Sequence, residues 1–293
     1  MVRHPLARAN LKPLHWQFST CTTVVGMLLS VVLAASALAQ QASTPASSPT
    51  ALTNQELAVS VHNPFQDFVK VPIQSTTGFQ LGRDHKVGEA INIEPLLPFS
   101  LNADWDLFTR PSLTVAYAPT PHEQSGLQDL QTSFFLSPAK ETTWIWGAGP
   151  IFQFPTASSS ELGTGRWSAG PTAALVYSKG PWLNAILAYH LMSFAGNRAR
   201  GSVNQTYIEP MISYNLDSGW YADIDPQMTL DWTADTANAW TIPMGADVGK
   251  AFNIGSQSLS LQIGAYDLLK RPDGAPQWIM RATVTFLFPA GIK

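Results

Sequence analysis

Hydrophobic and polar residues alternate through the segment from Trp144 to Trp182 as they would in a β-hairpin whose outer face contacts lipid. One face of the second arm is apolar and carries Trp167, Ala169, Pro171, Ala173, Leu175 and Tyr177. The other face is small and polar, with Ser168, Gly170, Thr172 and Ser178, and Val176 is its only large apolar residue. A loop rich in Thr, Ser and Gly joins the arms, and a tight Ser-Lys-Gly-Pro turn follows. Apolar-out and polar-in alternation of this kind is typical of a transmembrane barrel.

The same alternation predicts twelve strands from Asp67 onward. Their approximate ranges are 67–81, 89–100, 104–118, 126–137, 142–154, 165–178, 181–195, 202–216, 219–233, 239–251, 257–269 and 276–288. Short joints, such as 178–180 and 217–219, alternate with longer polar ones, such as 155–164 and 196–201. Short periplasmic turns and long external loops give this alternation, so we expect an all-β, antiparallel, up-and-down transmembrane barrel.

Tryptophans mark a weak internal repeat. Trp105, Trp144, Trp182 and Trp220 are 39, 38 and 38 residues apart, and Trp240 and Trp278 are again 38 apart. A β-propeller has a similar period, but its blades need four short strands, whereas alternation here continues for ten or more residues. We therefore expect two aromatic girdles at the membrane interfaces, formed by Trp105, Trp144, Trp167, Trp182, Trp220, Trp232, Trp240 and Trp278.

Charged residues within the strands are expected to face the lumen. A charge on the lipid face at the bilayer midplane costs about 2–4 kcal/mol for Lys or Arg, and less for an acid. The predicted lumen-lining residues are Glu94, Arg110, Glu209, Asp223, Asp225, Asp231, Asp247 and Arg281. Within 219–233 the aspartates would form one acidic ladder, which predicts a cation preference unless Arg110 and Arg281 neutralise it.

Residues 1–39 are predicted to be a secretory signal peptide. Basic residues precede an apolar stretch that ends in Ala37-Leu38-Ala39, a cleavage signature of small residues. An uncleaved inner-membrane anchor is the alternative, and translation could also begin at Met27. The single cysteine, Cys21, belongs to this segment, so the mature chain is expected to have neither disulfides nor a thiol nucleophile.

Net charge and hydropathy limit the classes of partner that we expect for this protein. Cleavage would remove three basic residues and no acidic one, which changes the formal net charge from −3 to −6 and disfavours nucleic acid. Only 13% of residues are charged, mean hydropathy is +0.01, and no later apolar run approaches the roughly 18 residues of a membrane helix. The expected partners are outer-membrane lipid, the barrel-assembly machinery and a small-molecule solute, and the expected location is a bacterial outer membrane.

The segment 40–66 precedes the predicted barrel, which would occupy 67–293. Residues 40–55 are rich in Ser, Thr, Ala and Pro and cannot bury enough apolar area to fold alone. Residues 56–66 end in Val61-His62-Asn63-Pro64-Phe65, which is apolar for a free linker. We hypothesise that 56–66 fold into the lumen as a movable plug, with a wholly disordered periplasmic tail as the alternative.

Catalytic and metal-binding patterns are not found in the sequence. The mature histidines, His62, His85, His122 and His190, have no metal-ligand spacing, so no metal or cofactor is predicted. His190 alone lies within a strand, where a girdle role is expected. A lipase-like barrel enzyme is the enzymatic alternative and would need Ser193 or Ser202 beside a histidine at the external rim.

Several short motifs carry a family resemblance. They are Gly147-Ala148-Gly149-Pro150, Phe154-Pro155-Thr156-Ala157, the run from Leu162 to Pro171, Ser193-Phe194-Ala195-Gly196, Val203-Asn204-Gln205-Thr206 and the ending Val284 to Pro289. Together they resemble the bacterial outer-membrane family named for the meta-pathway of phenol degradation. The resemblance implies a channel or transporter, in some members for hydrophobic or aromatic compounds, and no catalytic residues. A barrel with a purely structural role is a further alternative, and the monomeric or oligomeric state is left open.

Overall fold

The computed structural model describes residues 52–119, 122–140 and 142–290. The predicted signal peptide and most of the low-complexity tail lie outside these ranges. One helix, α1 (Asn54–His62), precedes a closed antiparallel barrel of twelve strands, so the predicted all-β transmembrane barrel is confirmed. Among the described residues, no helix is both long and apolar enough to cross a membrane.

Nine strands are continuous and three consist of two segments. They are β1 (Phe68–Leu81), β2 (Lys86–Ile93 and Leu97–Ser100), β3 (Trp105–Ala118), β4 (Gln124–Leu127 and Leu130–Pro138), β5 (Trp144–Phe154), β6 (Arg166–Lys179), β7 (Trp182–Gly196), β8 (Asn204–Asn215), β9 (Trp220–Ile224 and Met228–Asp231), β10 (Trp240–Ile254), β11 (Gln257–Lys270) and β12 (Trp278–Pro289). Each strand pairs with its neighbours in sequence. The pairing of β1 with β12, from Phe68 with Pro289 to Phe79 with Trp278, closes the barrel.

The three interrupted strands differ from the sequence prediction, which treated 89–100, 126–137 and 219–233 as continuous. Pro95 lies in the interruption of β2 and Pro226 in that of β9, and proline has no N–H to donate to a ladder. The interruption of β4 contains Asp129. The carboxylate of Asp129 accepts a hydrogen bond from the amide of Thr164, in the β5–β6 loop, at 2.7 Å. The register with the neighbouring strand is unchanged across the interruptions of β2 and β9, so alternation continues there. In β4 the register with β3 shifts by one residue, because Val115 pairs with Leu127 and Ser112 with Gln131.

The outer surface of the barrel is apolar. Six of the eight predicted girdle tryptophans are exposed: Trp144, Trp167, Trp182, Trp220, Trp232 and Trp240. The other two are partly covered, because Trp105 meets the edge of Trp146 and Trp278 stacks on Phe79 at 4.0 Å. A surface with this much exposed apolar area is suited to lipid rather than to water. The barrel is therefore a membrane protein of the outer-membrane type.

Short turns join the strands at one end of the barrel, and helix α1 lies at that end. Gln55 Nε2 donates to the carbonyl of Asn215, directly before the β8–β9 turn. Thr53 and Glu56 form a capping box that begins the helix. Hydrogen bonds from the Thr53 amide and hydroxyl hold the pKa of Glu56 below its ordinary value. Because periplasmic turns are short in such barrels, we expect this end to face the periplasm, and we call it the periplasmic end.

Candidate functional site: the barrel lumen

Helix α1 is packed inside the barrel wall near the periplasmic end. Leu57 and Ala58 are completely buried, and they contact Tyr221, Ala251 and Leu287 from three strands. These three strand residues come from β9, β10 and β12, so the helix contacts much of one side of the wall. Burial of a leucine side chain is worth about 1.5–3 kcal/mol, which gives this contact a substantial share of the docking energy.

Phe65 anchors the chain between the helix and β1. Its ring contacts Phe108 and Phe135 edge-on, with centroids 5.3 Å and 6.1 Å away. Gly147 provides the room, because a Cβ at that position would lie 2.6 Å from Cε1 of Phe65. Gly147, in the Gly147-Ala148-Gly149 motif, is therefore needed so that the N-terminal segment can pack against the wall. The sequence did not indicate this role for the glycine.

Two polar side chains connect the N-terminal segment to the wall. His62 Nε2 lies 3.0 Å from Asp223 Oδ2, and both side chains are buried. Lys70, buried on β1, donates its Nζ to the carbonyl of Asn63. Neither His62 nor Lys70 was among the predicted lumen residues, because their role depends on where the N-terminal segment lies.

A first charged cluster surrounds Arg281 on β12. Its Nη2 donates to Asp247 Oδ2 at 2.8 Å and to the carbonyl of Asp225 at 2.9 Å, and its Nη1 lies 3.4 Å from Asp225 Oδ2. The guanidinium also lies 3.9 Å over the ring of Tyr266, whose hydroxyl donates to Asp247. One arginine thus compensates two carboxylates in a largely buried place.

A second charged cluster crosses the lumen. Arg110 on β3 makes a two-pronged contact with Glu94 on β2, at 2.9 Å and 3.1 Å. Its Nη2 also lies 3.8 Å from Glu209 on β8, and Gln227 Nε2 donates to Glu209 at 3.2 Å. Strands β3 and β8 are five apart in a ring of twelve, so this contact spans the barrel interior. We call Glu94, Arg110 and Glu209 the constriction.

The constriction lies between two chambers. The outer chamber, of about 260 Å³, is mainly polar and includes Asn92, Gln131, Tyr189 and Tyr207. The inner chamber, of about 220 Å³, extends to the N-terminal segment. Its walls combine the charged clusters with apolar side chains, among them Leu96, Phe135, Val176, Leu187 and Met211. Pro72, Gln74, Glu94, Arg110 and Gln227 line both chambers.

A structured loop lies at the outer end. Asp129 accepts the amides of Ala157 and Thr164 at 3.1 Å and 2.7 Å. Arg200 donates to the carbonyls of Ser160 and Gly163 at 2.7 Å and 2.6 Å. These bonds hold the β5–β6 loop next to the outer chamber, which Asp129 also lines.

The structure brings six of the eight predicted lumen residues into the two clusters, and a seventh, Asp223, contacts His62 of the N-terminal segment. Glu94, Arg110 and Glu209 form the constriction, and Asp223, Asp225, Asp247 and Arg281 lie near the inner chamber. Asp231 lies apart from both, because its carboxylate caps the turn after β9 by accepting the amide and hydroxyl of Thr233. The expected ladder of three aspartates is therefore not continuous.

The residues of the enzymatic alternative are not arranged as a triad. The ring of His190 bonds to Thr206 at 2.8 Å, next to Trp232 of the outer girdle, and that of His62 faces Asp223. The Ser193 hydroxyl accepts the amide of Val203. Within the described ranges, no group of three or more His, Cys, Asp or Glu side chains is placed to hold a metal ion.

Comparison with known proteins supports the fold. No protein-family model matches the chain, and no curated protein matches it. An outer-membrane channel from Pseudomonas putida F1 is similar in structure, with a TM-score of 0.56 and 16% identity over 75% of this chain and 95% of that one. The NanC porin has a TM-score of 0.49 and 12% identity over 74% of this chain and 98% of that one. An outer-membrane phospholipase dimer with bound calcium from Salmonella typhi has a TM-score of 0.41 and 13% identity, over 83% of this chain and 100% of that one. At 16% identity the likeness to the Pseudomonas putida F1 channel establishes a shared barrel fold. The resemblance to the phenol meta-pathway family stays a prediction.

Proposed function

We propose that the protein is an outer-membrane channel for passive entry of small molecules. The observation that carries this proposal is the pair of chambers that meet at the constriction of Glu94, Arg110 and Glu209. Polar and charged side chains on facing strands line both chambers, and side chains of this kind set the selectivity of barrel channels. The barrel would reach the membrane through the assembly machinery that serves outer-membrane proteins.

The charges near the path favour cations over anions. The described lumen has six carboxylates near the two chambers and three basic side chains. The carboxylates are those of Glu94, Asp129, Glu209, Asp223, Asp225 and Asp247, and the basic side chains are those of Lys70, Arg110 and Arg281. Fixed charges in a narrow, low-dielectric passage have a strong effect on the local ion concentration. An excess of acidic groups should therefore give a cation preference that survives partial neutralisation by the arginines.

The inner chamber suits solutes with an apolar body. Leu96, Val176 and Met211 offer apolar contact, while Asp225 and Gln227 offer hydrogen-bond acceptors and a donor. A pocket with apolar walls and a few polar groups is typical of small-molecule sites. Small aromatic compounds with a neutral or cationic polar group fit this lining better than aromatic acids do.

The N-terminal segment 54–65 is proposed to be the plug of this channel. It borders the inner chamber through His62 and Phe65, and its docking rests on the apolar contacts of Leu57 and on two polar contacts. Twelve strands leave an interior between that of a filled eight-stranded barrel and an open porin, so one short segment is enough to narrow it. Undocking of the segment would widen the periplasmic exit.

The proposal is tested with the refolded full-length chain in planar bilayers. Discrete current steps in KCl are expected, with a reversal potential that indicates cation preference in a salt gradient. Benzylamine should reduce the current at lower concentration than benzoate, which has the same ring and the opposite charge. A heat-modifiable, folded barrel that gives no current steps would refute the channel function.

A further inference from the structure

The lining of the outer chamber is polar, but most of its polar groups are neutral. Among the described residues that line it, ten carry an amide or a hydroxyl group, three are charged and two are apolar. Its volume of about 260 Å³ lies below the roughly 300–1,000 Å³ of pockets that hold drug-sized ligands. A lining and a size of this kind suit a small solute with several neutral polar groups.

The three charged side chains of this lining are already engaged with the protein. Arg110 is held by the two-pronged contact with Glu94. Asp129 accepts the amide of Ala157 and both the amide and the hydroxyl of Thr164, at 3.1 Å, 2.7 Å and 2.7 Å. An ionic solute would have to compete with these bonds for a counter-charge. The charged groups of the chamber therefore do not favour a charged ligand.

Two stacked tyrosines hold their hydroxyl groups in place in this chamber. The rings of Tyr189 on β7 and Tyr207 on β8 are opposite each other in the ladder, with centroids 4.7 Å apart and planes 12° from parallel. Both side chains line the chamber, and neither hydroxyl has a hydrogen-bond partner within the described chain. A tyrosine hydroxyl both donates and accepts. The pair thus offers a ligand two fixed polar groups beside an aromatic surface.

Three glutamines add further neutral groups to the same chamber. Gln131 donates its Nε2 to Gln153 at 2.9 Å, and Gln227 donates its Nε2 to Glu209 at 3.2 Å. These bonds fix both side chains, and each Oε1 is left without a donor in the part of the chain that the structure describes. The side-chain amide of Gln128 has no partner there either. The glutamines therefore offer two fixed acceptors and one complete amide.

These neutral groups are too many for a solute with one hydroxyl. A hydroxyl makes one bond as a donor and up to two as an acceptor, whereas two tyrosine hydroxyls and three glutamine side chains are available here. Polar groups that lose water without gaining a partner carry a desolvation cost. A ring with several hydroxyls satisfies more of them, and its C–H faces can pack against the tyrosine rings and Ile151.

We propose that the outer chamber is a binding site for a neutral polyhydroxylated ring, such as a monosaccharide or a cyclitol. The inference rests on the proposed channel function and deepens it, because it names the class of solute that the outer chamber accepts. The inner chamber keeps its preference for apolar bodies, since its lining is different.

Saturation-transfer NMR on the refolded full-length chain, in a detergent without sugar groups, tests the site. The probes are the methyl glycosides of glucose, galactose and mannose, and myo-inositol. Cyclohexanol, with the same ring size and one hydroxyl, and glucuronate, a sugar with an acidic group, are the controls. At least one neutral probe should bind saturably and about tenfold more tightly than either control, because each net hydrogen bond contributes about threefold. Absence of saturable binding for all four probes, or equal binding of cyclohexanol, overturns the site.

Variants connect the binding to the chamber. Tyr189→Phe with Tyr207→Phe removes both hydroxyls and keeps both rings, so the affinity for the bound probe should fall about tenfold. Tyr214→Phe is the matched control, because Tyr214 is 39% exposed on the lipid face, and it should leave the affinity unchanged. Equal affinities of the double variant and the control, with both barrels heat-modifiable, contradict the proposal.

A second variant keeps the test decisive if the double variant does not fold. Gln128 lies in the interruption of β4, outside its two strand segments, so Gln128→Met removes the amide with little risk to the ladders. Its affinity should fall about threefold, and an unchanged affinity counts against the site. KCl current steps without saturable probe binding leave the channel function and refute the site. Probe binding that needs the tyrosine hydroxyls, without current steps, refutes the channel function and leaves the site.

Discussion

Replacement of Leu57 by alanine is expected to open the periplasmic exit by weakening the docking of the N-terminal segment. The Leu57 side chain is completely buried against Tyr221, Ala251 and Leu287. Truncation of a buried leucine to alanine costs about 2–5 kcal/mol. The barrel itself does not depend on Leu57 for its ladders, so we expect this cost to fall on the docking equilibrium.

The magnitude follows from the free energy. A tenfold change in an equilibrium constant corresponds to about 1.4 kcal/mol, so a loss of about 2 kcal/mol raises the undocked fraction about 30-fold. Single-channel recordings should show this as an increase in the ratio of time spent in a high-conductance state to time in a low one. Deletion of residues 40–64 should lock the high state while heat-modifiability is preserved.

Leu261→Ala is the matched control, because it makes the same change on the lipid face, where Leu261 is 46% exposed. Its dwell-time ratio should equal that of the unmodified protein. The reasoning is refuted if Leu57→Ala and Leu261→Ala have the same ratio while both barrels are folded. It is also refuted if the deletion leaves the conductance unchanged.

Two further predictions concern topology and charge. Cysteines at the exposed positions Ser160 and Lys179 should react differently with an impermeant thiol reagent on intact cells, with labelling at Ser160 only; labelling at Lys179 only would invert the barrel. Replacement of both Asp223 and Asp225 by asparagine should shift the reversal potential toward zero, because these carboxylates lie near the inner chamber. The same change at Asp231, which caps a turn, should leave the potential unchanged; equal shifts would contradict the assignment of the charges.

Strand number and membrane faces could be predicted from the sequence because both depend on local periodicity. Alternation with a period of two assigns each side chain to lipid or lumen, and the positions of Trp144, Trp182 and Trp220 indicated where strands begin. These features do not require knowledge of which strands face each other across the barrel. For that reason twelve strands could be counted correctly even though three of them are interrupted.

The contacts inside the lumen could not be predicted from periodicity. Arg110 and Glu209 meet because β3 and β8 lie on opposite sides of the ring, and no local pattern encodes that distance. The contact of His62 with Asp223 needs the N-terminal segment to be docked. By alternation Asp231 falls on the same face of β9 as Asp223. The turn after β9, however, gives the Asp231 carboxylate a local partner in Thr233.

The most direct test of the account is whether current flows past the constriction. Gln74 lines both chambers, so a cysteine there lies beside the conducting path. Ile212, which is 48% exposed on the lipid face, provides the control position. A cationic methanethiosulfonate reagent should lower the single-channel conductance of Gln74→Cys and leave that of Ile212→Cys unchanged. Unchanged conductance of Gln74→Cys after complete modification, verified by mass spectrometry, would contradict the central claim.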